Sequence, residues 1–319
     1  MSTFKENNAS FDYARILAAV GIVWFHCAAP GALVGYSGLA FFLLLLVHLT
    51  VHQAVAARDR KHRAPPFWRF AASRAERLLV PWAIASCLYG ILKLGEVSLG
   101  TPFAFEFTIS MWLTGPALHL WFLPFAFAVS IIVWPLVRHL ALARQSTIPP
   151  VSFLSAGLGL VMLSLTQENT FLIPLAQWAY ALPAVLIGLA LACAPATAQT
   201  QIGLMAAFIC AALAANWTDG LFEIFLACSV LILCRFVQLP ATGFSRTAAQ
   251  MALLIYLVHP AIMSAVTRTG IVETGTAAFA LMVLILTIGS IMLWRYAAPH
   301  IQRAFMPSLP RYGRNFQGG

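Results

Sequence analysis

The sequence predicts an all-α protein, a polytopic membrane bundle of about ten transmembrane helices with both termini in the cytoplasm. Three observations support this fold class. Hydrophobic residues make up 61% of the chain, charged residues make up only 9%, and the mean hydropathy is +0.85. Apolar segments of about 20 residues, enough to cross a bilayer, follow one another almost without interruption. The basic residues fall into alternate loops between them.

The chain is predicted to form a single domain, with a membrane bundle over residues 11–300 and a disordered cytoplasmic tail over 301–319. The spans are predicted at residues 12–32, 36–56, 77–95, 119–138, 149–166, 171–193, 200–216, 219–237, 248–267 and 276–297. With the N-terminus inside, all but Lys93 and Arg268 of the 19 Lys and Arg residues lie on the cytoplasmic side. This segregation is what the positive-inside rule requires.

Two loops are longer than ordinary turns between spans. The cytoplasmic loop 57–76 is dense in arginine and contains a Pro-Pro break, so we expect it to end in a short interfacial helix. The outer loop 96–118 is rich in aromatic residues. It fits either a re-entrant or interfacial segment or a lid over an outward-facing cavity.

The composition and the cysteine and histidine spacing argue against several kinds of site. A net charge of +9 would suggest nucleic-acid binding in a soluble protein, but here the charges fit membrane topology better. The six cysteines form no C-x-x-C pair, so we interpret them as apolar packing residues. His48 and His52 have the spacing of helical metal ligands but no accompanying carboxylate, so no metal or redox cofactor is predicted.

The first span carries ionisable residues that are costly in lipid. Asp12 and Arg15 lie near its start and His26 lies in its second half. Arg15 and His26 are eleven positions apart, so they share a helical face and lie about 16 Å apart along the axis. Each alone fits a topogenic charge or a core histidine. Together they suggest a path across the membrane that combines an anion-binding group with a proton acceptor.

Arg74 and Arg77 lie at the cytoplasmic start of the third span. Because they are three positions apart, they point the same way on a helix. Two adjacent guanidinium groups suit a phosphate or pyrophosphate, although positive-inside topology is the simpler explanation of an isolated pair.

Four further residues are candidates for a site within the bundle. His119 and Trp121 open the fourth span, and Glu223 is costly to embed near the outer end of the eighth. His259 precedes Pro260, which is expected to kink the ninth span.

Ordered motifs over most of the chain resemble the acyltransferase 3 family, whose members are bacterial integral-membrane acyltransferases of surface and exported glycans. FDYARILAAVGIVWFH resembles the opening element of the family, SRAER its Arg-x-x-Arg element, HLWFL its tryptophan element, and IYLVHP its late Tyr-x-x-His element. The last motif adds Tyr256 to His259. The Ser-Gly usual after Phe41 and Phe42 is missing, and Ala252 and Leu253 replace the usual Ser and Tyr.

The resemblance implies a function, which we state as an expectation. An acyl group, most simply acetyl, would pass from cytoplasmic acyl-CoA to a hydroxyl of a surface or exported glycan or its lipid-linked precursor. Arg74, Arg77 and Arg15 would hold the CoA phosphates, and His26, supported by Arg15 and Asp12, would act as general base or as acyl carrier. Trp121, His119, Tyr256, His259 and Glu223 would line the acceptor pathway.

The resemblance also implies a location in the bacterial inner membrane, with acyl-CoA as co-substrate and no resident cofactor. Two other hypotheses stay open. The chain could be a transporter or channel in which Arg15 and His26 line an anion or proton pathway. It could also be a non-catalytic subunit of a glycan-export complex whose charges only set topology.

Overall fold

Helices make up nearly all of the chain that the structure describes. The computed structural model describes residues 9–59, 66–98, 110–142, 148–168 and 171–297. Its helices, in chain order, are α1 (Ser10–His26), α2 (Ala32–Asp59), α3 (Phe67–Ser98), α4 (Met111–Thr114), a 3₁₀ turn (Leu118–Trp121), α5 (Phe122–Leu142), α6 (Ile148–Glu168), α7 (Leu175–Cys193), α8 (Ala198–Ala214), α9 (Leu221–Phe236), α10 (Gly243–Thr269) and α11 (Ala277–Ala297). The predicted tail 301–319 lies outside these residues.

The long helices follow the predicted spans in order and confirm an all-helical, multi-pass membrane protein. Seven described segments are long and apolar enough to cross a bilayer. Helices α1, α8 and α9 have only 16 or 17 residues, or about 24–26 Å against a hydrocarbon core of about 30 Å. The count of ten spans and the cytoplasmic termini therefore stay predictions.

The two long loops are described only in part. Instead of a separate short interfacial helix before the third span, the structure shows one continuous helix of 32 residues, α3, which begins at Phe67. The lid that is one interpretation of the outer loop would fall largely on residues 99–109, which lie outside the described part of the chain.

Helix α2 lies at the centre of the bundle and contacts α1, α5, α7 and α9. One group of buried apolar side chains joins α2 to α5, α7 and α9, and a second joins α1 to α10 and α11. Helix α1 thus lies between the two parts of the core, because it contacts both α2 and α10.

Small residues let α1 and α2 approach closely. A Cβ added at Gly21 would lie 2.9 Å from the Gly35 carbonyl oxygen, and one added at Gly38 would collide with the backbone of Ala18. Close approach through small residues is the usual way in which membrane helices gain packing energy, since lipid tails are as apolar as leucine. The α1–α2 hairpin is therefore a tightly packed support for residues at the end of α1.

The outward faces of the helices are apolar, as expected for contact with lipid. On α3, for example, Leu88, Ile91, Leu92 and Leu94 are exposed. In water such a continuous apolar face would promote aggregation, whereas in a bilayer it is solvated.

The first turn of α1 is fixed to the chain that follows α9. Ser10 donates its hydroxyl hydrogen to the Val237 carbonyl oxygen at 2.6 Å and accepts from the Leu239 amide at 3.0 Å. Ala9 also donates its amide hydrogen to Leu239. These bonds fix the helical start that carries Asp12 and Arg15.

Candidate active site

Three histidines from distant parts of the chain meet at one end of the bundle. The ring centroids of His26 and His259 lie 5.1 Å apart, and those of His119 and His259 lie 5.9 Å apart. His26 is the last residue of α1, His119 lies in the 3₁₀ turn, and His259 lies within α10. We call this side the histidine end. Imidazoles at this spacing can exchange protons through small ring movements or one intervening polar atom.

The position of His259 depends on the proline that follows it. Pro260 has no amide hydrogen, so the helical hydrogen bond to the Tyr256 carbonyl is absent and α10 is locally opened. His259 is fully buried, and its Nδ1 lies 3.0 Å from the Ile255 carbonyl oxygen. Because a carbonyl only accepts, Nδ1 carries the hydrogen and Nε2 carries the lone pair. Within the described residues, that buried Nε2 has no hydrogen-bond partner.

Tyr89 of α3 inserts its hydroxyl group into the same opened turn. The hydroxyl donates to the Leu257 carbonyl oxygen at 2.8 Å and accepts from the Ala261 amide at 3.2 Å. In a regular helix these two backbone groups would bond to each other. Tyr89 therefore bonds to backbone groups of α10 on both sides of Pro260 and holds this turn next to His259.

His119 is held by two tyrosines. The Tyr256 hydroxyl donates to the His119 carbonyl oxygen, and the Tyr89 ring packs edge-on against the imidazole at 5.1 Å. Gly115, which precedes the 3₁₀ turn and has a φ of +75°, lets the chain lie close to α3. A Cβ at this position would come 2.7 Å from the Ser86 hydroxyl. The buried Nε2 of His119 has no hydrogen-bond partner among the described residues.

His26 is exposed, which corrects the expectation of a buried imidazole at the centre of the site. The fully buried imidazole is that of His259. The correction has a simple cause, since α1 ends at His26 instead of continuing through residue 32. An exposed imidazole beside two more enclosed ones suits a group that meets a substrate arriving from the histidine end.

Asp12 and Arg15 lie at the opposite side of the bundle, which we call the arginine end. Arg15 Nη1 and Asp12 Oδ1 form an ion pair at 2.9 Å within the first turns of α1. This pair neutralises much of the Arg15 charge, so Arg15 is less available to a ligand than the sequence suggested. The eleven-residue separation from His26 places the two groups at opposite ends of one helix.

Arg74 and Arg77 lie together near the start of α3. Arg74 donates from Nη2 to the Thr50 hydroxyl at 3.3 Å and lies over the Phe70 ring, with Cζ 5.1 Å from the centroid. The two guanidinium groups repel each other. No carboxylate pairs with either one among the residues that the structure describes. Two uncompensated guanidinium groups form an environment that favours an anion.

The two ends of the bundle are separated by about the same distance along two helices. On α1, Arg15 and His26 are about 16 Å apart along the axis. On α3, Arg77 and Tyr89, which contacts His119 and the α10 kink, are about 18 Å apart. A ligand that reaches both groups must therefore be extended.

Among the ring contacts and hydrogen bonds of the described residues, none joins Trp121 or Glu223 to the three histidines. Trp121 is buried in the apolar core, where its ring packs against Phe122 and Phe125. Glu223 is 7% exposed and lies in a small crevice beside Tyr36 and Tyr180. Tyr256, in contrast, contacts the ring of His119 as well as its backbone.

His48 and His52 pack against each other in the half of α2 nearer the arginine end, with ring centroids 4.3 Å apart. His48 is fully buried and also contacts the Phe11 ring. The described residues contain no group of three or more His, Cys, Asp and Glu side chains that could hold a metal ion.

Sequence reasoning did not identify Tyr89, Tyr36 or Tyr180 as residues of the site. One signal was present, because a tyrosine within an apolar span needs a hydrogen-bond partner for its hydroxyl. Tyr89 finds its partners in the α10 kink, which sequence alone does not place against α3.

Comparisons with known proteins identify the family. The model of a family described as "Acyltransferase domain" matches residues 8–295, nearly the whole chain. No curated protein and no solved structure matches the chain. The matched range contains α1 to α10 and all but the last two residues of α11, and so includes both the histidine end and the arginine end. The chain therefore belongs to the acyltransferase 3 family and is a membrane acyltransferase.

Proposed function

We propose that this protein transfers an acyl group, most simply acetyl, from cytoplasmic acyl-CoA to a hydroxyl of a surface or exported glycan. The observation that carries the proposal is the convergence of His26, His119 and His259 at one end of the bundle. Arg74 and Arg77 at the other end, which pair with no carboxylate among the described residues, supply a suitable anchor for CoA phosphates.

The distance between the two ends fits a CoA thioester. With the phosphates at Arg74 and Arg77, the pantetheine arm extends along the bundle and carries the thioester towards the histidines, about 18 Å away. Arg15, already paired with Asp12, has a secondary role at this end. On this proposal the protein lies in a bacterial inner membrane and its arginine end faces the cytoplasm, in agreement with the positive-inside rule.

In the proposed reaction His26 acts as general base. It accepts the proton of the acceptor hydroxyl as the oxygen attacks the thioester carbonyl carbon. The new C–O bond forms, the C–S bond breaks, and the proton passes from the imidazolium to the CoA thiolate. General base catalysis of this kind contributes about 10²–10⁴-fold in rate. Alternatively, a ring nitrogen of His26 attacks the thioester carbonyl carbon, the C–S bond breaks and CoA leaves as the thiolate. The acceptor hydroxyl then attacks the acyl-imidazole, the C–N bond breaks, and the hydroxyl proton passes to the CoA thiolate.

His259 supports this role through its tautomer. Its Nδ1–H donates to the Ile255 carbonyl oxygen, so the Nε2 lone pair can accept a hydrogen bond from an N–H of His26 or of His119. An imidazolium formed at His26 would be stabilised by this acceptor.

A radiolabel experiment tests the proposal. Purified protein in lipid nanodiscs is incubated with [¹⁴C]acetyl-CoA and glycan acceptors, and the release of CoA and the label on the glycan are measured. We expect both to require His26, and we expect Arg74→Gln to need a higher acyl-CoA concentration to reach the same rate. Solute flux through vesicles without any acyl-CoA requirement would instead favour the transporter hypothesis.

A further inference from the structure

A line of aromatic rings leads from His26 to a buried carboxylate at the same end of the bundle. The Phe25 ring lies 5.4 Å from the His26 ring and stacks on Tyr36 at 4.1 Å. The Tyr36 ring lies 5.7 Å from that of Tyr180, whose hydroxyl interacts with Glu223. The rings come from α1, α2 and α7 and are partly exposed. They therefore form a continuous surface that ends at His26.

The other end of this surface is a crevice that Glu223 lines together with Tyr36, Tyr180 and several apolar side chains. Its volume is about 10 Å³, roughly the room for one water-sized group. Gly220, with a φ of +75°, lies beside it, and a Cβ there would come 2.9 Å from the Tyr180 ring. The glycine thus allows α9 to bring the carboxylate close to the tyrosine ring.

Glu223 retains capacity to accept hydrogen bonds from a ligand. A carboxylate offers about four lone-pair positions, and the Tyr180 hydroxyl occupies one. In the described part of the chain no Lys or Arg pairs with Glu223. A buried carboxylate is costly unless donors surround it, so the crevice selects for a group that carries O–H or N–H hydrogens.

These features fit a neutral sugar better than other ligands. Tyrosine faces pack against the apolar C–H face of a pyranose ring, and a sugar hydroxyl has the size and the donor hydrogen that the crevice accommodates. An acyl chain would leave the carboxylate unsatisfied. An anionic sugar would be repelled by it, because like charges in a poorly hydrated site repel strongly.

We propose that Tyr36, Tyr180 and Glu223 form the subsite that binds the acceptor glycan as a neutral pyranoside and presents one of its hydroxyls towards His26. This inference rests on the proposed acyl transfer and adds the substrate class and the residues that recognise it.

Saturation-transfer NMR on the full-length protein in nanodiscs tests the subsite without requiring activity. The probes are methyl glucopyranoside, methyl galactopyranoside, methyl mannopyranoside and, as the anionic comparison, methyl glucuronide. We expect at least one neutral glycoside to bind and the glucuronide not to bind. Glu223→Gln and Tyr180→Phe should each weaken the binding by about tenfold, which corresponds to the loss of one hydrogen bond involving a charged group.

Tyr296→Phe is the matched control, because Tyr296 is 89% exposed on α11. It should bind the glycosides as the wild type does. Both Tyr180→Phe and Tyr296→Phe keep the ring, and unchanged elution in detergent would show that the variants fold. Failure of every neutral glycoside to bind, or equal binding by the wild type and Glu223→Gln, would overturn the inference.

The subsite and the reaction can fail separately. His26→Ala should bind the glycoside normally while it transfers no acyl group. If acyl transfer requires His26 but Glu223→Gln binds and uses the acceptor normally, the subsite is wrong and the proposed function stands. If the glycoside binds at the subsite but no acyl group is ever transferred from acyl-CoA, the proposed function is wrong and the binding site stands.

Discussion

Tyr89 donates its hydroxyl hydrogen to the carbonyl oxygen of Leu257 at 2.8 Å, and so joins α3 to the kink of α10. The same hydroxyl accepts a hydrogen bond from the Ala261 amide, so one side chain bonds to backbone groups on both sides of Pro260. Because α3 also carries Arg74 and Arg77, one helix connects the arginine end to the turn that positions His259.

Tyr89→Phe should loosen the α10 kink without removing any proposed catalytic group. It removes both hydrogen bonds of the Tyr89 hydroxyl, each worth about 0.5–1.5 kcal/mol. We expect a lower Tm in detergent and a lower kcat, with little change in KM for acyl-CoA. Tyr296→Phe, on the exposed face of α11, is the control and should alter neither quantity. Wild-type Tm and kcat in Tyr89→Phe would show that the hydroxyl does not hold the site.

The role of the His259 tautomer can be tested with two amide substitutions. Asparagine can still donate to the Ile255 carbonyl but offers no acceptor where Nε2 lies, so His259→Asn should keep the fold and lose about tenfold or more in kcat. His259→Gln can reach further and should recover part of that activity. The pH dependence of kcat should also change, because the acceptor that stabilises the His26 imidazolium is gone.

A purely structural role for His259 makes a different prediction. In that case His259→Asn would keep its activity through the hydrogen bond to the Ile255 carbonyl alone, and its pH profile would match that of the wild type. KM for acyl-CoA should be unchanged in either case, which separates positioning from donor binding.

His26→Ala should abolish acylation while membrane insertion and acyl-CoA binding persist. If His26 acts as general base, its removal costs about 10²–10⁴-fold in rate, and if it carries the acyl group the loss is complete. Because His26 is exposed at the end of α1, the truncation leaves no buried cavity and should not lower the Tm. Normal product from this variant would refute the assignment.

Arg74→Gln should raise KM for acyl-CoA and leave kcat nearly unchanged, since the phosphates are held equally in the ground and transition states. One charge-assisted hydrogen bond is worth about 1.5–3 kcal/mol, so the increase should be about tenfold or more. Arg74→Lys should recover only part of the affinity, because an ammonium group cannot bind bidentately. Titration of acyl-CoA in initial-rate assays gives both constants.

Arg138→Gln is the control for the arginine substitution. Arg138 also lies over an aromatic ring, with Cζ 5.3 Å from the Trp134 centroid, and is exposed. It should leave KM unchanged. An equal effect of the two substitutions would indicate a general surface-charge effect instead of a specific phosphate site.

The sequence predicts residues within one helix better than contacts between helices. Helical spacing placed Arg15 and His26 on one face of α1, and Pro260 predicted the opening of α10 beside His259. It could not show that His119, His259 and Tyr89 converge with His26. In a bilayer both lipid-facing and bundle-facing surfaces are apolar, so hydropathy does not reveal which faces meet. The exposure of His26 could not be predicted for a different reason. It depends on where α1 ends, and helix ends are the least certain part of a sequence prediction.

The α1–α2 hairpin offers a test of whether backbone packing positions His26. Gly35→Ala places a methyl group against the Gly21 backbone, where no flexible side chain can move aside, so the helices must separate. Overpacking of this kind costs about 1–3 kcal/mol and should shift His26 relative to His259. Gly289→Ala on α11 is the matched control, since a Cβ there meets no atom within 4 Å. Thermal unfolding gives the Tm, and acyl-transfer assays below the Tm of both variants give kcat. Gly35→Ala should lower both the Tm and kcat, and Gly289→Ala should leave both unchanged. A stable Gly35→Ala protein with full activity would mean that the close approach of α1 and α2 does not determine the geometry of the histidines.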